Sequence, residues 1–442
     1  MLKVVKFGGS SLADADQFRK VAAIILAEKE RRYVVASAPG KRFSEDEKVT
    51  DLLLRCHALA ADRNPIDETF EQIANRFRGI IKDLELDLSI EEELETVRRA
   101  IEHGASSDYV ASRGEYFNSM ILAAFLGFKF LDAEKCILFT KEGKLDNDRT
   151  HQMLVSYMEK YHNAVVPGFY GVMPDGSIKT FSRGGSDITG SILAEAFSAD
   201  LYENWTDVSG MLMADPRLVK NPAPIDIITY RELRELSYMG ATVLHEEAVF
   251  PVRRSGIPIN IRNTNQPEDK GTMIVPHADG MSGDRVVTGI AGKTGFTAIY
   301  IERDMMNSEL GYGRRVLETL ERRGINFEHL PSGIDTITVV VNNKELEGKK
   351  DLVVADLLRT CKPDTIRIYD HLALLAVVGR GMINAPGVAA KVCSTLAKEK
   401  INIRMIDQGS SELNIIIGIN QEHYPKALKA LYNAFDPNKN KA

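Results

Sequence analysis

Near the N-terminus, Lys6 to Ser11 reads KFGGSS, directly after a β-branched run and before a helical pattern that begins near Asp14. Glycines at a strand-to-helix junction let backbone N–H groups approach a phosphate, and the helix N-terminus favours negative charge. A lysine one step back can reach transferring oxygens. GGSS alone serves equally well as a tight strand-to-helix turn, and Lys6 shifts the reading toward phosphate. The loop is not a Walker A motif, because GxxxxGK[ST] does not occur: Gly292, Lys293 and Thr294 have Val287 where the first glycine belongs. The protein-kinase motifs are missing too. The residues therefore point to a phosphoryl-transfer site of another design.

Ser182 to Asp187 reads SRGGSD at a second glycine-rich turn into a helix. Arg183 offers a planar fork for a carboxylate, and Ser186 and Asp187 are placed where N-cap residues belong. Asn204 to Asp207 ends a strand, and the chain then turns at Gly210 toward Asp215, Pro216 and Arg217. Trp205 reads as a core residue, and Arg217 either as a phosphate partner or as a surface arginine. Arg113, Gly114 and Glu115 open a long apolar helix; Glu115 can take a substrate ammonium or simply favour the helix N-terminus. Ser37 to Gly40 closes the second strand.

These residues need a scaffold. Leu2–Phe7, Tyr33–Ala38, Lys129–Asp132, Ala164–Pro167 and Leu201–Trp205 read as strands with helical patterns between them. That alternation predicts an α/β fold with a mainly parallel sheet in three αβα layers and a ligand crevice beyond the carboxyl ends of the strands. A polar stretch rich in Gly, Pro and Asp, Gln266 to Asp284, marks a boundary. Beyond it lies an internal repeat. A shift of 76 positions, the interval from Gly311 to Gly387, brings Val316 onto Val392, Leu320 onto Leu396, and Ile325 and Asn326 onto Ile401 and Asn402. Each copy reads βαββ with a further helix behind, at Lys350–Arg359 and Tyr424–Phe435. The expected domains are 1–275, 285–360 and 366–442, the last two able to intertwine.

The chain has 442 residues and a net charge of −6, with 44% hydrophobic and 27% charged residues, an ordinary globular composition. No basic run supports nucleic-acid binding, and no apolar stretch approaches the roughly 20 residues of a membrane span. Cys56, Cys136, Cys361 and Cys393 are scattered without a CxxC pair, and His245–Glu246 lacks the second histidine of HExxH. A cytoplasmic protein with reduced thiols and no protein-built metal site is expected.

KFGGSS, RGE, SRGGSD, WTDV and DPR, in that order, resemble the aspartate kinases of the amino-acid kinase family. The C-terminal repeat, with IDQGSSELNIIIGI in its second copy, resembles tandem ferredoxin-like ACT modules. The resemblance implies transfer of the ATP γ-phosphate to the side-chain carboxylate of L-aspartate, with Mg²⁺ accompanying ATP. It implies that Lys6 contacts the transferring group, that Gly8, Gly9 and Ser10 surround the phosphates, and that Asp187 orients Lys6 and the nucleotide. Thr206, Asp207 and Arg217 match nucleotide-binding positions. Ser37, Thr50, Glu115, Phe169, Arg183 and Ser186 match the substrate side, with Arg183 on a carboxylate and Glu115 on the amino group. Lys41 to Lys48 reads as an insertion that displaces Thr50. Thr242 and Leu212 depart from the lysine and tyrosine of many relatives, so Thr242 receives no catalytic role.

The chemistry agrees with this inventory. A carboxylate nucleophile with a pKa near ~4 is already ionised at pH 7 and needs no general base. The reaction needs charge neutralisation between two anions and in-line positioning. Rival readings are a kinase of the same fold acting on glutamate, acetylglutamate or a nucleotide, and a non-catalytic amino-acid sensor. For the repeat, the resemblance implies feedback by lysine or threonine around Met306, Gly311, Tyr312 and His329, and a homodimer or higher oligomer through the ACT units. A scaffold that only dimerises the chain is the alternative.

Overall fold

The β-branched run at the N-terminus forms the strand Lys3–Phe7, buried along its whole length. It lies inside an eight-stranded sheet of the order Ile227–Thr229, Thr272–Val275, Ile259–Asn263, Leu201–Thr206, Lys3–Phe7, Arg31–Ala36, Ala164–Pro167, Lys129–Phe130. Neighbours are parallel except Ile259–Asn263 with Thr272–Val275. Both faces are covered, which is why the central strands are buried almost continuously, polar members such as Glu203 and Asn260 included. The computed structural model describes residues 1–182, 184–241, 244, 246–278 and 285–436.

Strand alternation decides where the chemistry sits. Val5 and Phe7 point into the core shared with Phe18, Val21 and Ile25 of the helix Ala15–Leu26 and with Phe117 and Ile121 of the helix Ser107–Leu126. Lys6, between them, must face the opposite side, where the helix Gly185–Ala196 lies. Asp14 caps the first helix by accepting from Gln17 N–H at 2.9 Å, and a single 3₁₀ turn, Gly9–Leu12, separates it from the strand. Trp205 is buried as a core residue, stacked on Phe7 with ring centroids 5.9 Å apart, and its indole N–H donates to Glu203.

Two compact units emerge. Met1–Met211, Ile225–Tyr230 and Val243–Met281 form one, and Leu212–Pro224, Arg231–Thr242 and Ser282–Ala442 form the other. The second is organised by a five-stranded antiparallel sheet, Thr336–Asn342, Gly289–Glu302, Thr365–Val378, Asn414–Asn420, Ile403–Asp407. The two 14-residue strands Gly289–Glu302 and Thr365–Val378 run through both repeats. Phe296–Glu302 pairs with Thr336–Asn342 of the first copy, whereas Leu372–Val378 pairs with Asn414–Asn420 of the second.

The 76-residue shift reappears in three dimensions. Helices Tyr312–Arg322 and Val388–Lys398 match end for end, each preceded by a left-handed glycine, Gly311 at φ 78° and Gly387 at φ 88°. The expectation of two strands after each helix needs correction for the first copy. There the segment before Thr336–Asn342 makes only isolated bridges, His329 to Val340 and Ser332 to Ile337. Pro331 explains this, since it has no N–H to continue a ladder. Buried Glu232 holds the segment Arg231–Thr242 in this unit, accepting from Thr288 Oγ1 at 2.6 Å and Arg380 N–H at 2.9 Å.

Candidate active site

Parallel register places Lys6 beside Asn204 on the adjoining strand. The two side chains and Asp187 form a triangle: Lys6 Nζ lies 2.6 Å from Asp187 Oδ1 and 3.5 Å from Asn204 Oδ1, while Asn204 Nδ2 donates to Asp187 Oδ1 at 2.9 Å. The Lys6 and Asp187 side chains are only 10% and 14% exposed, so this ion pair is far less screened than a surface pair. Ser186 and Asp187 do not cap their helix, contrary to the sequence expectation. Gly184, at φ 77°, is the cap residue and the helix starts at Gly185, so Asp187 stands in the first turn with its carboxylate turned to Lys6.

The glycine-rich turn is locked to a second loop. Gly9 O accepts from Gly40 N–H at 2.9 Å, and a Cβ on Gly9 would lie 2.8 Å from Ala38 O. Backbone lines both sides, so no side chain there can yield to a larger residue. Gly8 N–H donates to Trp205 O at 3.0 Å; Ser11, the buried serine of the pair, bonds Thr264 Oγ1 at 2.8 Å, and Ser10 is partly exposed. Thr206 and Asp207 follow at the end of the strand, linked by a 3.2 Å bond.

On the other side of the Ser37–Gly40 loop stands the helix Ser107–Leu126. Its approach is close: a Cβ on Gly114 would sit 2.7 Å from Ala38 Cβ. Glu115 is 6% exposed, and its Oε2 is buried without a hydrogen-bond partner. Burial pushes its carboxyl up to about 8, against the smaller opposing effects of the facing Ala38 N–H, its own backbone and the Arg113 charge. Asn118, one turn on, donates from Nδ2 to Ser37 O at 2.6 Å. Thr50 lies in the first turn of the helix Val49–Ala61, whose Val49 N–H donates to Pro39 O at 3.3 Å. The Lys41–Lys48 segment is tied down by Asp46, which bonds Arg42 and, at 2.7 Å, the buried Arg76. Hydrogen bonds from Arg42 hold the Asp46 carboxyl well below the usual range.

Phe169 adopts φ 80°, a conformation that costs energy for a bulky side chain. It is held there by Thr189 Oγ1, which accepts from its N–H at 3.0 Å, and by Phe181 N–H, which donates to its carbonyl at 2.8 Å. Ser186 is buried nearby, its side chain 2.5 Å from where a Cβ on Gly168 would be. Arg183 and Thr242 lie outside the described residues. Leu212 and Arg217 belong to the other unit, where Arg217 is exposed and folds back onto Asp215, Nη2 to Oδ2 at 2.7 Å.

The structure thus joins Lys6 to Asp187, and Ser37 to the helix of Glu115. Asn204 and Asn118 are participants that the sequence reading did not single out. Register one strand over from Lys6 marks the first, and i+3 spacing from Glu115 marks the second. A cavity of about 770 Å³ near Phe139, Lys144, Lys179 and Arg254 contains none of these groups. The hydrogen-bonded constellation locates the chemistry better than that volume does. Among the described residues no cluster of three metal-ligating side chains occurs, and no helix is long and apolar enough to cross a membrane.

Residues 1–263 match the model of the amino acid kinase family, which is well over half of the chain. The chain belongs to that family, among its aspartokinases. Residues 375–435 match an ACT domain. Aspartokinase 3 of Bacillus subtilis (strain 168) is 40% identical over 98% of both chains. The crystal structure of Clostridium acetobutylicum aspartate kinase, described as an allosteric enzyme, superposes with a TM-score of 0.91 at 51% identity, covering 98% of this chain and 100% of that one. E. coli aspartokinase III, 26% identical, matches with a TM-score of 0.75 in complex with aspartate and ADP (R-state) and 0.72 in complex with lysine and aspartate (T-state). The matches cover 98% of this chain and 99% of that one. This aspartokinase-family chain is an ATP-dependent kinase, which removes the non-catalytic sensor as a reading.

Proposed function

We propose that the enzyme transfers the γ-phosphate of ATP to the side-chain carboxylate of L-aspartate, giving 4-phospho-L-aspartate, the first step toward lysine, threonine and methionine. The buried triangle of Lys6, Asp187 and Asn204 beside an interlocked glycine turn carries the reading. Lys6 neutralises charge on the transferring phosphoryl group, and Asp187 and Asn204 hold the ammonium in place, so little reorganisation accompanies transfer. Gly8, Gly9 and Ser10 receive the phosphates, with Thr206, Asp207 and Arg217 as further nucleotide contacts. Mg²⁺ enters as part of the ATP substrate and lowers its charge.

Ser37, Thr50, Phe169, Arg183 and Ser186 shape the acceptor side, Arg183 holding a carboxylate and Glu115 the ammonium. The acceptor oxygen attacks the γ-phosphorus, the bond to the β,γ-bridging oxygen breaks, and ADP leaves. No covalent enzyme intermediate is needed. Glutamate kinase activity is the competing assignment. ATP-dependent acyl phosphate, trapped with hydroxylamine, tests both: signal with aspartate only, lost in Lys6→Ala, supports this function, and signal with glutamate only overturns it.

The ACT-containing unit supports amino-acid feedback, with lysine favoured by the lysine-bound state of the E. coli relative. Candidate contacts are Met306, Gly311, Tyr312 and His329. Met306 and Tyr312 pack into the core of the first repeat, and Tyr312 Oη has no partner. His329 Nδ1 lies 2.9 Å from Asp407 Oδ2, and its Nε2 has no partner. We expect a homodimer or higher oligomer through these units, in the cytoplasm, consistent with four unpaired cysteines. Equilibrium binding of lysine and threonine checks the feedback reading; no binding of either, with unaltered kinetics, would defeat it.

A further inference from the structure

Three buried polar atoms without partners lie together on the helix Ser107–Leu126: Glu115 Oε2, Asn118 Oδ1 and Ser119 Oγ. At i, i+3 and i+4 they fall within about a 100° sector of one helix face. Asn118 and Ser119 are both fully buried, and Glu115 is 6% exposed. Native proteins rarely leave a buried acceptor unpaired, and three on one face mark a place that a ligand completes.

The clamp around one peptide bond shows how the group is aimed. Asn118 Nδ2 donates to Ser37 O, the carbonyl end of the Ser37–Ala38 peptide, while Ala38 N–H, the other end, faces the Glu115 carboxylate. That bond fixes the Asn118 amide, since its NH₂ must point to the carbonyl and its Oδ1 away from it. The same loop bonds to the glycine turn through Gly40 and Gly9, so the orphaned acceptors belong to the wall of the candidate active site.

A carboxylate oxygen, an amide oxygen and a hydroxyl suit a primary ammonium, which brings three N–H donors and a positive charge. Resting on the reading that the acceptor substrate is an α-amino dicarboxylate, we propose that Asn118 Oδ1 receives a second N–H of the substrate ammonium beside Glu115. Asn118 is then a specificity-determining residue for amino over des-amino acids.

The test compares aspartate with succinate, which keeps both carboxylates and lacks only the amino group. Dissociation constants for the two are measured on the full chain for the wild type, Asn118→Ala, Asn118→Ser and Glu115→Gln. In the wild type, aspartate should bind at least about 100-fold more tightly than succinate. In the Asn118 variants that ratio should fall about tenfold. An Asn118 that only holds the Ser37 loop would weaken both ligands equally and leave the ratio unchanged, which would overturn the proposal. Loss of the ratio in Glu115→Gln alone would leave the ammonium site standing without Asn118. Equal binding of aspartate and succinate by the wild type, with aspartate still phosphorylated, would remove the ammonium site but not the kinase assignment. If Asn118→Ala fails to fold, Asn118→Ser keeps a hydroxyl for Ser37 O and decides the question.

Discussion

The two walls of the candidate site differ in how their charges are kept. On the phosphate side, Lys6, Asp187 and Asn204 satisfy one another. On the acceptor side, Glu115, Asn118 and Ser119 each keep a buried atom without a partner. A charge paired before substrate arrives is positioned at no further cost during transfer, whereas an unpaired buried acceptor gains most when its partner binds. On the proposed assignments, one wall acts on the transition state and the other selects the substrate.

Breaking the first wall should have the largest effect. Lys6→Ala is expected to lower kcat by about 10³-fold or more, as loss of a preorganised charge does elsewhere, with a smaller change in KM for aspartate. Hydroxylamine trapping reads the rate, and circular dichroism shows that the fold persists. An effect confined to KM would erase the contrast between the walls.

Glu115→Gln should do the opposite, raising KM for aspartate by about 100-fold while kcat falls much less. Steady-state kinetics at saturating ATP separates the two. The pH dependence sharpens the point. Glu115, pushed up to about 8 by burial, is mostly neutral at pH 7 before substrate binds. Binding an ammonium requires the carboxylate, so affinity for aspartate should fall by up to about tenfold per pH unit below 8. Glu115→Gln should flatten that profile.

Stability follows with its own sign. Because the folded state holds the Glu115 proton more tightly than the unfolded state, the contribution is present at low pH and is lost as pH rises from about 4.5 toward about 8, by at most about 1.4 kcal/mol per unit. Saturating aspartate should reduce this loss, as read by urea unfolding of the catalytic unit's signal. The smallest effect on stability belongs to Arg217→Ala. Its side chain is 86% exposed and paired only locally, so unfolding should shift by no more than about 0.5 kcal/mol, while KM for ATP rises if the nucleotide assignment holds.

Much of this was legible in the chain. The strand Ala164–Pro167 coincides with its sequence pattern to the residue, and the 76-residue interval aligns the Gly311 and Gly387 turns from sequence alone. Other features were not. Ser186 and Asp187 looked like caps because their residue types favour caps, but a left-handed Gly184 takes that position and frees Asp187 for Lys6. The strand after the first repeat's helix dissolved into isolated bridges at Pro331, although its counterpart Ile403–Asp407 formed as expected.

By itself the sequence determined what is local: the glycine turns, the central strands and the repeat, because turn chemistry and periodicity act within a few residues. It also placed a lysine near the end of the first strand and a glutamate on a long helix. Tertiary structure alone decided that Asn204 would meet Lys6 across 198 residues, that Asn118 would grip the Ser37 carbonyl, and that Glu115 would be left with an unpaired oxygen. Strand register and burial are set by packing between distant segments, and the chemistry of each buried group depends on which neighbours that packing supplies.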